Sequence, residues 1–296
     1  MIEHQIKIIY GGIFVKARGW TPEGVREVLN FLENEGIKVI DTAASYPDSE
    51  ELLGIADAGA RFTIDTKVDV LYIHAPDRRS PIKSVLAGIN TLYLARKFKR
   101  FGLSNFNAEE VEEVIRVAKE NGFVLPSIYQ GNYNAVARRS ETELMPVLHR
   151  WNISFYAYSP IAGGFLTKNP EQLRAGGHGR WDPSGWTGNM YNALYNTPCM
   201  LRALEAFIRL SNEMGISQAE LAYRWVAYNS QLRPKLGDGI IIGARFGPQL
   251  EEALVGLSKG ALSKEVADRI DALWPDIDES PLDNFEGYIN NPEKNK

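Results

Sequence analysis

Four side chains in the first quarter of the chain carry the means to move a proton onto a carbonyl oxygen: Asp41, Tyr46, Lys67 and His74. A tyrosine hydroxyl titrates near about pH 10, so on its own it is a reluctant acid at neutrality. An ammonium group within about 4–6 Å favours the phenolate and lowers that pKa into a useful range. A carboxylate paired with the lysine keeps it charged and oriented, and a histidine beside the phenol directs the substrate oxygen. Such a set protonates a carbonyl oxygen while a hydride reaches the carbon, and the hydride has to come from a cofactor because no side chain supplies one. Each residue also has a plainer reading. Asp41 is able to cap a turn, Lys67 to pair on the surface, His74 (in YIHAP) to sit in the core, and Tyr46 before Pro47 to pack in a turn.

The elements that must position these groups alternate between short apolar runs and longer helical ones. Strand-like runs fall at Lys7–Tyr10, Ile37–Ile40, Phe62–Val68, Val70–His74, Phe101–Ser104, Ile128–Gln130, Ile153–Tyr158 and Gly239–Ile242. Thr21-Pro22 opens the first helix as N-cap and first helical residue, Val25, Val28, Leu29 and Leu32 form its apolar stripe, and Gly36 closes it. Further helices are predicted at Ser49–Ile55, Pro81–Leu94, Ala108–Asn121, Glu141–Arg150, Pro198–Glu213, Ser217–Asn229, Pro248–Leu257 and Ser263–Trp274, with a long loop over about 161–197 and a polar tail over about 275–296. Eight strands alternating with helices predict an α/β fold, a (β/α)8 TIM barrel, as one domain over 1–296. A doubly wound sheet competes, but GxGxxG is absent from the first strand–helix turn. In a barrel, catalytic groups stand at the C-terminal strand ends. Those ends carry Asp41, Lys67, His74, Ser104-Asn105, Gln130 and Tyr158-Ser159.

Composition removes several classes. The 296 residues are 44% hydrophobic with a net charge of -4, which gives no general pull toward nucleic acid or anionic lipid. One cysteine excludes an internal disulfide framework. Four histidines without ligand spacing leave little for a metal site. No apolar run reaches the roughly eighteen residues that span a bilayer, and the N-terminus lacks the marks of a signal peptide, so the expected address is cytoplasmic. A Gly-x-Ser-x-Gly elbow is missing, which weakens a hydrolase reading. The basic run Arg96-Lys97-Lys99-Arg100 reads as a solvated helix end.

The words DTAASYPDSEELLG, TKV, YIHAPD, GLSNF, YQGNYN and AYSPIAGGFLT, in this order, resemble the aldo-keto reductase superfamily. YIHAPD, SPIAGGFLT and the late RWVAYNSQL…GDGIIIGA are most similar to its aflatoxin-aldehyde reductase group. The resemblance runs from about Ile6 to Trp274. It implies an NADPH-dependent reductase acting on a small-molecule aldehyde or ketone, as a monomer or homodimer. Asp41, Tyr46, Lys67 and His74 fall on the family's catalytic tetrad, with Tyr46 as proton donor. Ser104, Asn105 and Gln130 fall on positions that hold the nicotinamide carboxamide, and Tyr158 on the aromatic that stacks on its ring. Ser159 through Lys168, including Ile161, Gly163 and Gly164, fall on the loop along the pyrophosphate. Two glycines there let backbone approach a phosphate closely. Arg245, before a helix opened by Pro248, is placed to hold an adenosine 2'-phosphate, and Gln249 is retained. Arg180 and Tyr191 fall near substrate-pocket positions. The chain departs from the group in having Arg245-Phe246 where small hydroxyl residues are usual and Glu252-Ala253 where amides are usual. It also lacks an arginine shortly after Tyr191.

The largest departure lies between the third and fourth strands. Related proteins carry roughly thirty residues there, whereas TKV here runs straight into DVLYIHAPD. Parallel neighbours need a crossover of about a dozen residues or more. One extended segment would hold Lys67 and His74 roughly 23 Å apart, at about 3.3 Å per residue. The barrel is therefore expected to be perturbed at this point. Two alternatives to a working reductase follow: a non-catalytic NADPH-binding subunit, or an inactive splice or deletion variant.

Overall fold

The computed structural model describes residues 6–14, 19–43, 46, 48–65, 69–174, 181–244 and 246–277. Its elements run β1 (Lys7–Gly11), α1 (Pro22–Asn34), β2 (Val39–Asp41), α2 (Ser49–Ile55), β3 (Thr63–Asp65), β4 (Val70–Ile73), α3 (Ile82–Leu94), β5 (Arg100–Ser104) and α4 (Ala108–Asn121). They continue with β6 (Pro126–Asn132), α5 (Ser140–Glu143), α6 (Met145–Arg150), β7 (Ser154–Tyr158), α7 (Pro170–Arg174), α8 (Trp186–Tyr195), α9 (Pro198–Met214), α10 (Gln218–Arg224), β8 (Gly239–Ile242), α11 (Pro248–Ser258) and α12 (Lys264–Asp271).

All eight strands share one sheet in the order β3-β2-β1-β8-β7-β6-β5-β4. That is the cyclic order of a (β/α)8 barrel cut between β3 and β4, as the missing crossover predicts. Every register resolved between neighbouring strands is parallel: β1 sits between β2 and β8, with Tyr10 beside both Ile40 and Ile242, and β4 pairs with β5 from Val70↔Arg100 to Ile73↔Leu103. Four residues separate Asp65 from Val70, too few to carry a strand back to the start of its parallel neighbour. The seam follows from that shortage.

The described residues fall into two compact units, one within 1–130, 146–156 and 234–246, the other within 131–145, 157–233 and 247–296. In the first, the helices form where the sequence signals them. Thr21 caps α1 by accepting from the Gly24 N–H, and Val25, Val28, Leu29 and Leu32 are buried. Asn107 and Glu110 close a capping box on α4, whose Val111, Val114, Ile115 and Ala118 are buried. β8 is buried throughout. In the second unit, the segment expected as a long loop holds a 3-10 turn at Ala162–Thr167 and the helices α7 and α8. Met190, Tyr191, Leu194 and Tyr195 are buried on α8 at helical spacing, a stripe that the Gly/Asn-rich composition hides. The helix predicted to run to Asn229 leaves α geometry after Arg224 and closes with a π turn at Trp225–Asn229.

Candidate active site

In the first unit, the strand ends deliver several expected residues to one place. Asp41 ends β2 beside Asp65 at the end of β3. Gln130, on β6, donates from Nε2 to Asp41 Oδ1 at 2.6 Å. By accessible surface Asp41 is only half-buried, yet its carboxyl is enclosed by protein. Burial pushes its pKa up to about 7, the Gln130 hydrogen bond works in the opposite direction, and Asp65 adds to the rise.

His74 follows β4 directly. Its side chain is exposed, and its carbonyl accepts from Asn105 Nδ2 at 2.7 Å. The same Asn105 nitrogen reaches Ser104 Oγ at 3.2 Å. Asn105 has a left-handed backbone, φ 62°, which few residues other than glycine adopt without a local demand. Tyr46 lies in a turn after β2, its N–H donating to the Ala43 carbonyl and its own carbonyl accepting from Ser49. Lys67, Arg180 and Arg245 lie outside the described residues.

Strands of the same sheet also carry a polar network with no local sign in the sequence. Lys7 Nζ donates to Tyr156 Oη at 2.7 Å, and Arg100 Nη2 pairs with the fully buried Asp65 at 3.2 Å. Arg100 is thus the first residue of β5 and half of an interior ion pair, correcting its reading as part of a solvated helix end. Burial pushes the Asp65 pKa up to about 6, against the pull of Arg100 and Lys7. Asp65 Oδ2 and Tyr72 Oη are buried without a hydrogen-bond partner among the described residues. Burial, then the Asp65 and Asp41 charges, hold the Tyr72 hydroxyl well above its ordinary value. Tyr72 fits only because its partner in the β4–β5 register is Gly102, where a Cβ would stand 2.4 Å from the Tyr72 ring. An Asp in an apolar strand and an Arg thirty-five residues later gave no local sign of pairing.

In the second unit, the chain after β7 turns through left-handed backbone at Ser159, Ala162, Gly163 and Gly164. Such clusters mark tight turns and ligand clamps. Asn134 Nδ2 donates to the Ser159 carbonyl at 3.1 Å, and Tyr158 accepts from the Tyr133 N–H. The Ile161 carbonyl accepts from the Gly164 N–H at 3.0 Å. Gln218 Nε2 holds the Leu166 and Lys168 carbonyls at 2.8 and 3.2 Å. Tyr191 is buried, stacked between Trp181 and Tyr195, and a Cβ at Gly163 would meet its ring at 2.2 Å. Trp181 Nε1 donates to the Gly163 carbonyl, so this turn is held from both sides. Gln249 is exposed in the first turn of α11.

The sequence profile of the Aldo/keto reductase family matches residues 60–275. The chain belongs to this family. Oxidoreductase sirO of Leptosphaeria maculans is 38% identical over 285 residues, covering 86% of this chain and 86% of that protein. Aflatoxin B1 aldehyde reductase member 2 of Homo sapiens is 35% identical over 315 residues, 91% of this chain and 87% of its own length. Aldo-keto reductase pigE of Monascus ruber is 30% identical over 274 residues, 89% and 80%. These likenesses support the aflatoxin-aldehyde reductase group and an oxidoreductase activity for this aldo/keto reductase. The match to the human protein extends over 315 positions against a chain of 296, so that relative carries residues with no counterpart here. Among the described residues no cluster of metal-ligating side chains occurs, and no helix is long and apolar enough to cross a membrane.

A nicotinamide carboxamide asks for one acceptor and one donor. With Gln130 Nε2 engaged by Asp41, the Gln130 Oε1 remains to accept, and the Ser104 hydroxyl, which accepts from Asn105, keeps a proton to donate. These residues fit that group.

Proposed function

We propose that this aldo/keto reductase reduces aldehydes, and also ketones, to alcohols with NADPH. The observation that carries the reading is the 2.6 Å hydrogen bond between Asp41 and Gln130, which ties a residue proposed for proton transfer to one proposed for cofactor binding. The likeness to the human aflatoxin B1 aldehyde reductase member 2 supports the substrate class.

When bound, NADPH supplies the hydride that reaches the carbonyl carbon. Tyr46 gives its phenolic proton to the carbonyl oxygen. Lys67, held charged by Asp41, lowers the Tyr46 pKa, and His74 directs the substrate oxygen toward the phenol. Ser104, Asn105 and Gln130 bind the carboxamide, and Tyr158 lies against the ring. Ser159, Ile161, Gly163, Gly164 and Lys168 follow the pyrophosphate, with Arg245 and Gln249 at the adenosine phosphate. Tyr191 and Arg180 bound the substrate. The whole chain acts as one domain in the cytoplasm on small molecules, as a monomer or homodimer, without nucleic-acid or membrane partners.

The open β3/β4 seam favours a second reading: a chain that binds NADPH without turnover. One assay separates the two. NADPH oxidation is followed with an activated aromatic aldehyde, alongside binding by cofactor fluorescence. A reductase turns over, and Tyr46→Phe lowers kcat by about 10²–10⁴-fold with binding kept. Binding without turnover in the parent chain selects the second reading.

A further inference from the structure

We infer that Trp181 and Gln218 finish the turn at 159–168 before any cofactor arrives, so that NADPH meets a preformed cradle for its pyrophosphate. The inference rests on the NADPH reading above, and neither residue is among those already assigned to the site.

A backbone turn that receives a phosphate has to present N–H groups, so its carbonyls need donors elsewhere. Here the protein itself supplies those donors. The Ser159 carbonyl accepts from the Ala162 N–H at 2.8 Å as well as from Asn134. The Gly163 carbonyl accepts from Trp181 Nε1 at 3.0 Å, and the Gly164 carbonyl from the Thr167 hydroxyl at 2.9 Å. A single amide, Gln218 Nε2 at the start of α10, closes the far end by reaching the Leu166 and Lys168 carbonyls together. Side chains from outside the turn thus hold it at its start, middle and end.

Packing fixes the same shape. Ala162, Phe165 and Leu166 are fully buried. The Phe165 ring stacks on Tyr195 at 5.4 Å and on Trp181 at 6.2 Å between centroids. Tyr195 Oη accepts from Asn132 Nδ2 at 3.1 Å, and the Trp181 carbonyl accepts from Asn192 Nδ2 on α8 at 3.3 Å. Left-handed backbone at Ser159 and Ala162 is costly for residues that carry a Cβ, and it persists where the surroundings over-determine it. A loop that orders on binding spends affinity on its own ordering and adds a slow step after encounter; an ordered one does neither. NADPH should therefore bind this chain in one step.

The test pairs hydrogen exchange on the chain without cofactor with stopped-flow binding followed by NADPH fluorescence. In the parent, the Ala162, Gly164 and Lys168 amides, each hydrogen-bonded within the turn, should exchange slowly. Binding should be a single phase whose rate rises linearly with NADPH. Trp181→Phe keeps a ring and removes the donor, and Gln218→Leu removes the clamp. The double variant should lose that protection, raise the NADPH Kd about tenfold or more, and add a phase whose rate levels off at high NADPH. Slow exchange at Leu204 and Phe207, buried on α9, verifies that the fold persists. A parent that binds NADPH but protects these amides only once it is bound overturns the inference and leaves the NADPH reading standing. Protection or binding unchanged in the double variant overturns it too. A parent with protected amides that binds no NADPH marks the failure of the reading itself, and the inference falls with it.

Discussion

Gln130 donates to Asp41 at 2.6 Å, and that single bond opposes the rise that burial imposes on the carboxyl. Asp41, near 7, and Asp65, near 6, are neighbours in the β2–β3 register, and burial is the main cause of the rise in each. In the proposed reaction the carboxylate form of Asp41 is the useful one, because it keeps Lys67 charged. Activity should therefore fall as pH drops through about 7. Gln130→Leu removes the donor that favours the carboxylate, and the acid limb of kcat/KM should move up by roughly one unit. A pH–rate profile reads it, and a limb that stays put would remove Gln130 from this role. Asp41 and Gln130 were both legible in the sequence, since each ends an apolar run with a polar side chain. Asp65 was not: a buried acid becomes intelligible only beside Arg100, and nothing local in FTIDTKV or ARKFKR announces that distant pairing.

At the level of elements, β4 and β5 meet through an exchange of volume, a tyrosine ring on one strand filling the space that glycine leaves on the other. Gly102→Ala puts a methyl group 2.4 Å from the Tyr72 ring and should destabilise the fold by about 1–3 kcal/mol. Denaturant melts should show Tyr72→Val restoring most of that loss in the double variant, because the conflict is steric and local. Equal losses in both backgrounds would place the cost elsewhere. Helix boundaries with chemical signals were easily read: Thr21-Pro22 on α1 and Asn107 with Glu110 on α4 are caps whose mechanism is written in the residue types. α8 was lost because Gly188, Asn189 and Asn192 interrupt its first two turns with poor helix formers, although Met190, Tyr191, Leu194 and Tyr195 keep the helical period.

For the molecule as a whole, two interior carboxyls with raised pKa values reverse the usual pH dependence. A group whose folded pKa lies above its unfolded value of about 3.9 stabilises the fold fully at low pH, and that contribution is lost as pH rises through the folded pKa. Between about pH 4 and 7 the Asp41–Asp65 pair should therefore lower stability by about 2 kcal/mol, reduced from the full linkage because Asp41 is only half-buried. Thermal melts across that window should show the decline in the parent and a flatter curve in Asp41→Asn. A parent whose melting temperature climbs over the same range would mean that the pair is ionised below pH 5. The barrel order was readable from eight alternating runs, and the seam from the absence of a crossover; the interior charges that set this pH response were not.

The placement of β1 between β2 and β8 bears on how the chain is made. Its partner at Gly239–Ile242 emerges from the ribosome more than two hundred residues after Lys7. At roughly 5–20 residues per second, β1 waits about 10–50 s with one row of backbone groups unmatched. The nascent sheet thus has four edge strands before β8 is made, β1, β3, β4 and β7, and keeps two afterwards, β3 and β4, so only the exposure of β1 and β7 ends when the last strand arrives.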